Sequence, residues 1–170
     1  MRQFLDEHLL DNRVPPRVNG PRKGIGVVGL HEGRTLLASL GRTALAFAAA
    51  GCDLDERKIE SLRKEFPNLF YTRDYASMLA RKDVEVVAIY TPDALHGQHI
   101  VQALEAGKDV ICTKPLVNSM NDARDVAKAL RGSGRKLMVG QRDGDRRSLP
   151  LGQGDLAHER HFSLSGHGLG

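Results

Sequence analysis

Apolar residues recur along this chain in two alternating rhythms. Short, nearly unbroken runs suit strands covered on both faces: Ile25 to Gly29, Leu45 to Cys52, Phe70 and Tyr71, Val84 to Tyr90, Val110 to Cys112, and Lys136 to Val139. Helical spacing lies between them. Leu36, Leu37 and Leu40 mark a helix over Arg34 to Leu40, and Ile59, Leu62 and Phe66 mark one over Asp55 to Phe66, ended by Pro67. Asp74 is placed to cap a third helix that runs to Ala80. Thr91-Pro92-Asp93 stops the fourth strand and opens a helix to Ala106. Met120, Ala123, Val126, Ala127 and Leu130 stripe a last helix over Asn118 to Leu130.

Strands alternating with helices predict a parallel sheet with right-handed crossovers. The expected fold class is therefore α/β, a doubly wound sheet of the Rossmann type, whose two halves six strands match. This pattern occupies residues 24–141. Residues 1–23 read as an extension, with a short helix over Gln3 to Leu10 broken by Pro15-Pro16. From Arg142 the texture changes to glycines, histidines and isolated leucines, so 142–170 reads as a poorly ordered tail.

Composition excludes more than it assigns. The formal charge of +4 is spread among interleaved acids and bases, which argues against a nucleic-acid partner. No apolar run approaches the ~20 residues of a membrane span, and Asp6, Glu7 and His8 are wrong for a signal peptide. Cys52 and Cys112 follow buried-looking runs far apart, as reduced thiols of a cytoplasmic protein would. His158, His161 and His167 have no acid or cysteine cluster to complete a metal site, so none is expected.

Candidate chemistry gathers at the strand ends. Gly24, Gly26 and Gly29 spell G-x-G-x-x-G, but Ile25, Val27 and Val28 are strand residues, so the match falls before the turn. The relevant loop is Gly29-Leu30-His31-Glu32-Gly33-Arg34, with Gly29 as the tight-turn glycine and a helix N-terminus behind it to receive a diphosphate. His31 and Arg34 stand where the other two fingerprint glycines would be, and Gly33 is one place off. Asp53, at the end of strand two, can accept from both ribose hydroxyls of an adenosine. Its charge repels a 2′-phosphate, favouring NAD over NADP, although Arg57 nearby leaves NADP open. Asp53 could instead serve only as a helix cap, but Asp55 can do that job. Gly107 can close the helix before strand five, and Lys114 then emerges at that strand's carboxyl end, held in front of Pro115.

Val86-Val87-Ala88-Ile89-Tyr90-Thr91-Pro92-Asp93-Ala94-Leu95-His96, then Ala103 to Val110, then Lys114-Pro115 form one ordered run. It resembles the cofactor domain of the glucose–fructose oxidoreductase/inositol dehydrogenase (Gfo/Idh/MocA) family. That resemblance implies NAD(P)-dependent redox chemistry on sugars, inositols and related polyols. It implies Lys114 beside the nicotinamide ribose and reacting carbon, with Thr91, Pro92 and His96 bordering the cofactor. The cofactor-contacting set is then Gly29, Leu30, His31, Glu32, Gly33, Asp53, Thr91, Pro92, His96 and Lys114, with Lys114 also catalytic. His96 could equally be a buried or capping histidine, and His99 is expected at the surface or in the core. Thr113 replaces the glutamate that commonly precedes the lysine, removing a charge beside it.

In that family an aspartate and a histidine from a second domain handle the proton. That substrate domain is not expected within these residues, and the chain reads as truncated. For the isolated polypeptide a non-catalytic, nucleotide-binding remnant is favoured over an active oxidoreductase. An S-adenosylmethionine-dependent methyltransferase shares the glycine loop and the acid after strand two, but gives Lys114-Pro115 no place. Apolar surface left uncovered predicts self-association.

Overall fold

A computed structural model describes residues 20–140. The extension's helix, the tail and the three tail histidines lie outside the described residues. Six parallel strands form one sheet in the order β3-β2-β1-β4-β5-β6. They are β1 (Lys23–Val28), β2 (Ala46–Cys52), β3 (Phe70–Thr72), β4 (Val86–Ile89), β5 (Asp109–Thr113) and β6 (Leu137–Gly140). The helices are α1 (Leu30–Leu40), α2 (Glu56–Glu65), α3 (Tyr75–Leu79), α4 (His96–Glu105) and α5 (Met120–Ser133), and a 3₁₀ turn at Asp93–Leu95 leads into α4. The doubly wound α/β fold is as expected, and every strand and helix expected between residues 24 and 140 is present.

Each face of the sheet has its own core. On one, Ile25, Val27 and Ala88 pack with Leu30, Leu37 and Leu40 of α1 and Ile59 and Leu62 of α2. On the other, Val28, Val87, Ile89, Val110 and Cys112 pack with Met78 of α3, Ile100 and Leu104 of α4 and Val126 of α5. Adjacent β1 residues thus serve opposite faces, which is why the strands read as continuous apolar runs. Cys52 and Cys112 are both buried and free. No helix among the described residues is long and apolar enough to cross a membrane.

Local signals set the boundaries. Asp55, Asp74 and Ser119 cap α2, α3 and α5, each side chain accepting from backbone N–H groups of the first turn. Gly107 follows α4 with φ of 74°, the left-handed closure its position called for. Beyond shifts of one to three residues at element ends, two points differ from the sequence reading. Helix α1 begins at Leu30 rather than Arg34, because Gly29 alone makes the turn out of β1. Met120 is not on the apolar stripe of α5: it is the first helical residue and 70% exposed.

Candidate functional site

The strand order reverses about β1, whose neighbours are β2 and β4. Crossovers depart to opposite faces there, leaving a crevice beyond the carboxyl ends of these strands. Gly29 sits at its head. Its φ is 86°, and a β-carbon there would stand 2.4 Å from the Tyr90 carbonyl oxygen. Its N–H donates to the Cys52 carbonyl at 2.9 Å, and the Tyr90 N–H donates to Val28 at 2.8 Å. The ends of β1, β2 and β4 therefore meet at a residue that can carry no side chain. Behind it, α1 turns its N-terminus into the crevice, where the His31 amide belongs to a first turn with no helical carbonyl to serve.

Gly33 plays a different part. A β-carbon there would lie 2.4 Å from Cγ1 of Val27, so this glycine lets α1 lie close on the sheet. That is the packing role of a fingerprint's third glycine, met one residue earlier. Leu30 is a core residue, and its N–H donates to Asp53 Oδ2 at 2.8 Å. Leu30 and Gly33 thus shape the turn from behind, and the cleft wall is made by Gly29, His31 and Glu32.

The cleft has a volume of about 1120 Å³. At the β2 end, Asp53 has only 9% of its side chain exposed. Besides Leu30, its carboxylate accepts from the Asp55 N–H at 2.9 Å and lies 3.4 Å from Lys58 Nζ. Asp55, not Asp53, caps α2. Arg57 is bound to Asp55, whose carboxyl is held below its ordinary value chiefly by that hydrogen bond. The cations that line the cleft at this end are instead Lys58 and Arg73. Neither was read from the sequence. Burial, with Asp53 and Asp74 adding to it, pushes the adjacent Cys52 thiol up to about 12, so it stays a thiol at neutral pH.

At the other end, Thr91, Pro92, Thr113 and Lys114 line the same cleft. Lys114 is exposed, and Thr113 Oγ1 points back to the Ile89 carbonyl at 3.4 Å, bridging β5 to β4. Of the two histidines, His96 takes the buried alternative and His99 comes to the wall. His96 is fully buried and outside the cleft lining. Its Nδ1 lies 2.7 Å from the Pro115 carbonyl oxygen and its Nε2 2.8 Å from that of Thr91. Both neighbours are carbonyl oxygens, which only accept, so a ring N–H serves as the donor and the ring bridges the loop after β4 and the loop after β5. His99 is the one that lines the cleft, with Nδ1 3.0 Å from Thr91 Oγ1. Burial, then the proximity of His96, holds its pKa below the ordinary histidine value.

Among the described residues no group of three or more His, Cys, Asp or Glu side chains is arranged to hold a metal. The donor set fits a dinucleotide: a glycine turn that a β-carbon would fill, a helix N-terminus beside it, a carboxylate at one end and an ammonium at the other.

Comparison with known proteins agrees. The family described as "Oxidoreductase family, NAD-binding Rossmann fold" (Gfo/Idh/MocA) matches residues 23–141. A 1-carboxy-3-chloro-3,4-dihydroxycyclohexa-1,5-diene dehydrogenase of Comamonas testosteroni is 33% identical over 119 residues, 68% of this chain and 30% of that enzyme. An inositol 2-dehydrogenase of Rhodococcus erythropolis is 26% identical over 115 residues, 68% of this chain and 32% of that one. The structure of GenD2 from gentamicin A biosynthesis, in complex with NAD, superposes with a TM-score of 0.66 at 31% identity, covering 71% of this chain and 35% of GenD2. The chain spans about a third of the length of the curated relatives it matches. By fold and by sequence, this chain belongs to the Gfo/Idh/MocA oxidoreductase family and carries that family's NAD(P)-binding Rossmann domain.

Proposed function

We propose that the cleft holds NAD, with adenosine over β2 and nicotinamide over β4 and β5, and that the chain contributes this cofactor site to oxidation or reduction of a polyol. One observation carries the reading: a single cleft takes in Asp53 after β2, the Gly29 turn after β1 and Lys114 after β5. Asp53 faces the ribose hydroxyls, and its negative charge selects NAD over NADP. Lys58, 3.4 Å from that carboxylate, weakens the selection without reversing it. The amides behind Gly29 receive the diphosphate, and Thr91 and Pro92 border the nicotinamide side. Reduction within the burial of two free thiols suits a cytoplasmic location.

When bound, the dinucleotide supplies or accepts a hydride at its nicotinamide ring. The chain's residues do the rest of what is proposed. Lys114 donates a hydrogen bond to the reacting oxygen and offsets negative charge developing there. His96 fixes the distance between the Thr91 and Pro115 loops, and with it the place of Lys114. The polyol class rests on relatives named as inositol dehydrogenases.

A second reading, cofactor holding without turnover, is favoured by Thr113. It leaves Lys114 with no preceding acid, and no salt bridge to Lys114 occurs among the described residues. Calorimetric titration with NAD and NADP, beside a turnover assay on inositols and sugars, separates the readings. Tighter binding of NAD with turnover supports the enzyme; binding alone supports the second reading; binding of neither dinucleotide overturns both.

A further inference from the structure

His99 enters the cleft wall as part of a small, fully connected cluster. Its imidazole stacks against Tyr75 of α3, with ring centroids 4.7 Å apart and planes tilted by 53°. The Tyr75 hydroxyl donates to the His99 carbonyl oxygen at 3.0 Å, so the same residue holds both the ring and the backbone of His99. Burial pushes the Tyr75 phenol well above its ordinary value, which keeps it a donor. The ring that results has one nitrogen, Nδ1, set 3.0 Å from the Thr91 hydroxyl oxygen. Tyr75, Thr91 and His99 all line the cleft.

A threonine hydroxyl is one donor and two acceptor sites, and it rotates to suit its neighbour. Its neighbour here decides what it shows the ligand. Burial and the neighbouring His96 depress the pKa of His99, which favours the neutral ring with a single N–H, and in the tautomer that carries it on Nε2 the Nδ1 beside Thr91 has a free lone pair. Nδ1 is then an acceptor, the Thr91 O–H donates to it, and the remaining lone pairs of Oγ1 are left for the cleft. Thr91 follows β4, between the Gly29 turn and Lys114, in the half of the site that takes the second mononucleotide.

We infer that His99, braced by Tyr75, is a positioning residue that makes Thr91 a hydrogen-bond acceptor for the amino group of the nicotinamide carboxamide. The inference rests on the dinucleotide reading of the cleft. It deepens that reading by stating which atom of the nicotinamide is recognised, and by what.

The test is calorimetric titration of the full chain with NAD and with 3-acetylpyridine adenine dinucleotide. The second ligand keeps the carbonyl and replaces the amino group by methyl, so it differs by one donor and no charge. NAD binds about fivefold more tightly to the unchanged chain, the span of one neutral hydrogen bond. Thr91→Val and His99→Phe each bring the two affinities within twofold of one another. His99→Asn, whose amide oxygen can accept from the same hydroxyl, restores part of the gap. Thermal unfolding of each variant checks that it is folded, and Thr91→Val carries the test where His99→Phe fails to fold. Equal affinities in the unchanged chain overturn the inference while leaving cofactor binding intact. An undiminished gap in folded His99→Phe overturns the role of His99. Absence of binding by either dinucleotide overturns the cofactor reading and this inference with it.

Discussion

The two halves of the sheet are built to different degrees of completeness. In the β1–β3 half, the glycine turn and the carboxylate at the cleft are also held from behind. Gly29 is pinned by Cys52 and pressed against Tyr90, Gly33 seats α1 on Val27, and Asp53 is engaged by two backbone amides and Lys58. In the β4–β6 half, Lys114 is exposed, α5 buries only Val126, and the outer strand shows Met138 at 57% and Val139 at 47% exposure. The first half is organised before a ligand arrives. The second relies on the histidine ties and leaves Lys114 on an open wall. Close packing and satisfied polar groups make a site rigid, and rigidity is costly to disturb; an exposed lysine is cheap to change but decisive for a ligand.

The largest expected effect is therefore in the first half. Gly29→Ala places a β-carbon against the Tyr90 carbonyl at a residue whose φ is 86°. Left-handed strain plus overpacking costs about 3 kcal/mol, read as a lower urea midpoint at unchanged m-value. A loss below about 0.5 kcal/mol would show that the turn is not rigid and would erase the contrast. Asp53→Asn comes next. The amide keeps one acceptor oxygen and turns its NH₂ towards a backbone N–H, so stability falls by about 1–2 kcal/mol. The affinity ratio of NAD to NADP falls with it, because the charge that repels a 2′-phosphate is gone. An unchanged ratio would confine Asp53 to holding the Leu30 and Asp55 amides.

Lys114→Met inverts the pattern. Its stability stays within about 0.5 kcal/mol of the unchanged chain, while NADH binding weakens about tenfold by fluorescence titration. A variant that loses stability instead of affinity would make Lys114 a structural residue, and the two halves alike.

Much of this organisation could be read along the chain, for a physical reason: strands buried on both faces leave unbroken apolar runs, and Asp55, Asp74 and Gly107 sit where caps must sit. What could not be read depends on a phase or a distance. The leucines of α1 mark a start at Arg34, but the true start is set by Gly29, because one residue in the left-handed region suffices to leave the strand. Gly33 escaped notice as a packing glycine because only the approach of Val27 shows it. His96 and His99 lie three residues apart and both reach Thr91, yet His96 is buried behind the wall and His99 lines it. The 3₁₀ turn at Asp93–Leu95 winds more tightly than an α-helix, so the phase in which α4 begins cannot be counted from Pro92. Lys58 and Arg73 come from different elements that meet only in the folded chain.

A titration sharpens the comparison from the second half. Burial and the neighbouring His96 lower the folded-state pKa of His99 below the 6.5 of a free histidine. The unfolded chain therefore binds a proton there before the folded chain does. The contribution is present above pH 6.5 and is lost as pH falls through the lowered folded value. Stability measured by denaturant at pH 7.5 and 5 falls towards acid, and His99→Phe flattens that fall. Parallel curves for the two proteins would mean that His99 is not held neutral. At the alkaline side Cys112 gives the opposite sign. Its thiol is pushed up to about 12 by burial, so stability is whole below pH 9 and is lost as pH rises from there.

The smallest effect is expected at the open edge. Among the described residues strand β6 pairs with β5 alone and forms an edge of the sheet, whose backbone groups are open to a further strand. Met138 stands beside Ile111 on the α1–α2 face, and Val139 stands beside Cys112 on the α4–α5 face. Apolar exposure on both faces of an edge strand favours self-association, and alternation along the strand makes the faces separable by mutation. Light scattering over a concentration series is expected to show a mass that rises with concentration. Met138→Gln and Val139→Thr each weaken the association a fewfold, and the larger response identifies the face that meets a second copy. Equal responses point to edge-to-edge pairing through the backbone of β6, where neither side chain is decisive. A constant monomer mass at high concentration would show that the second half, however open, needs no cover.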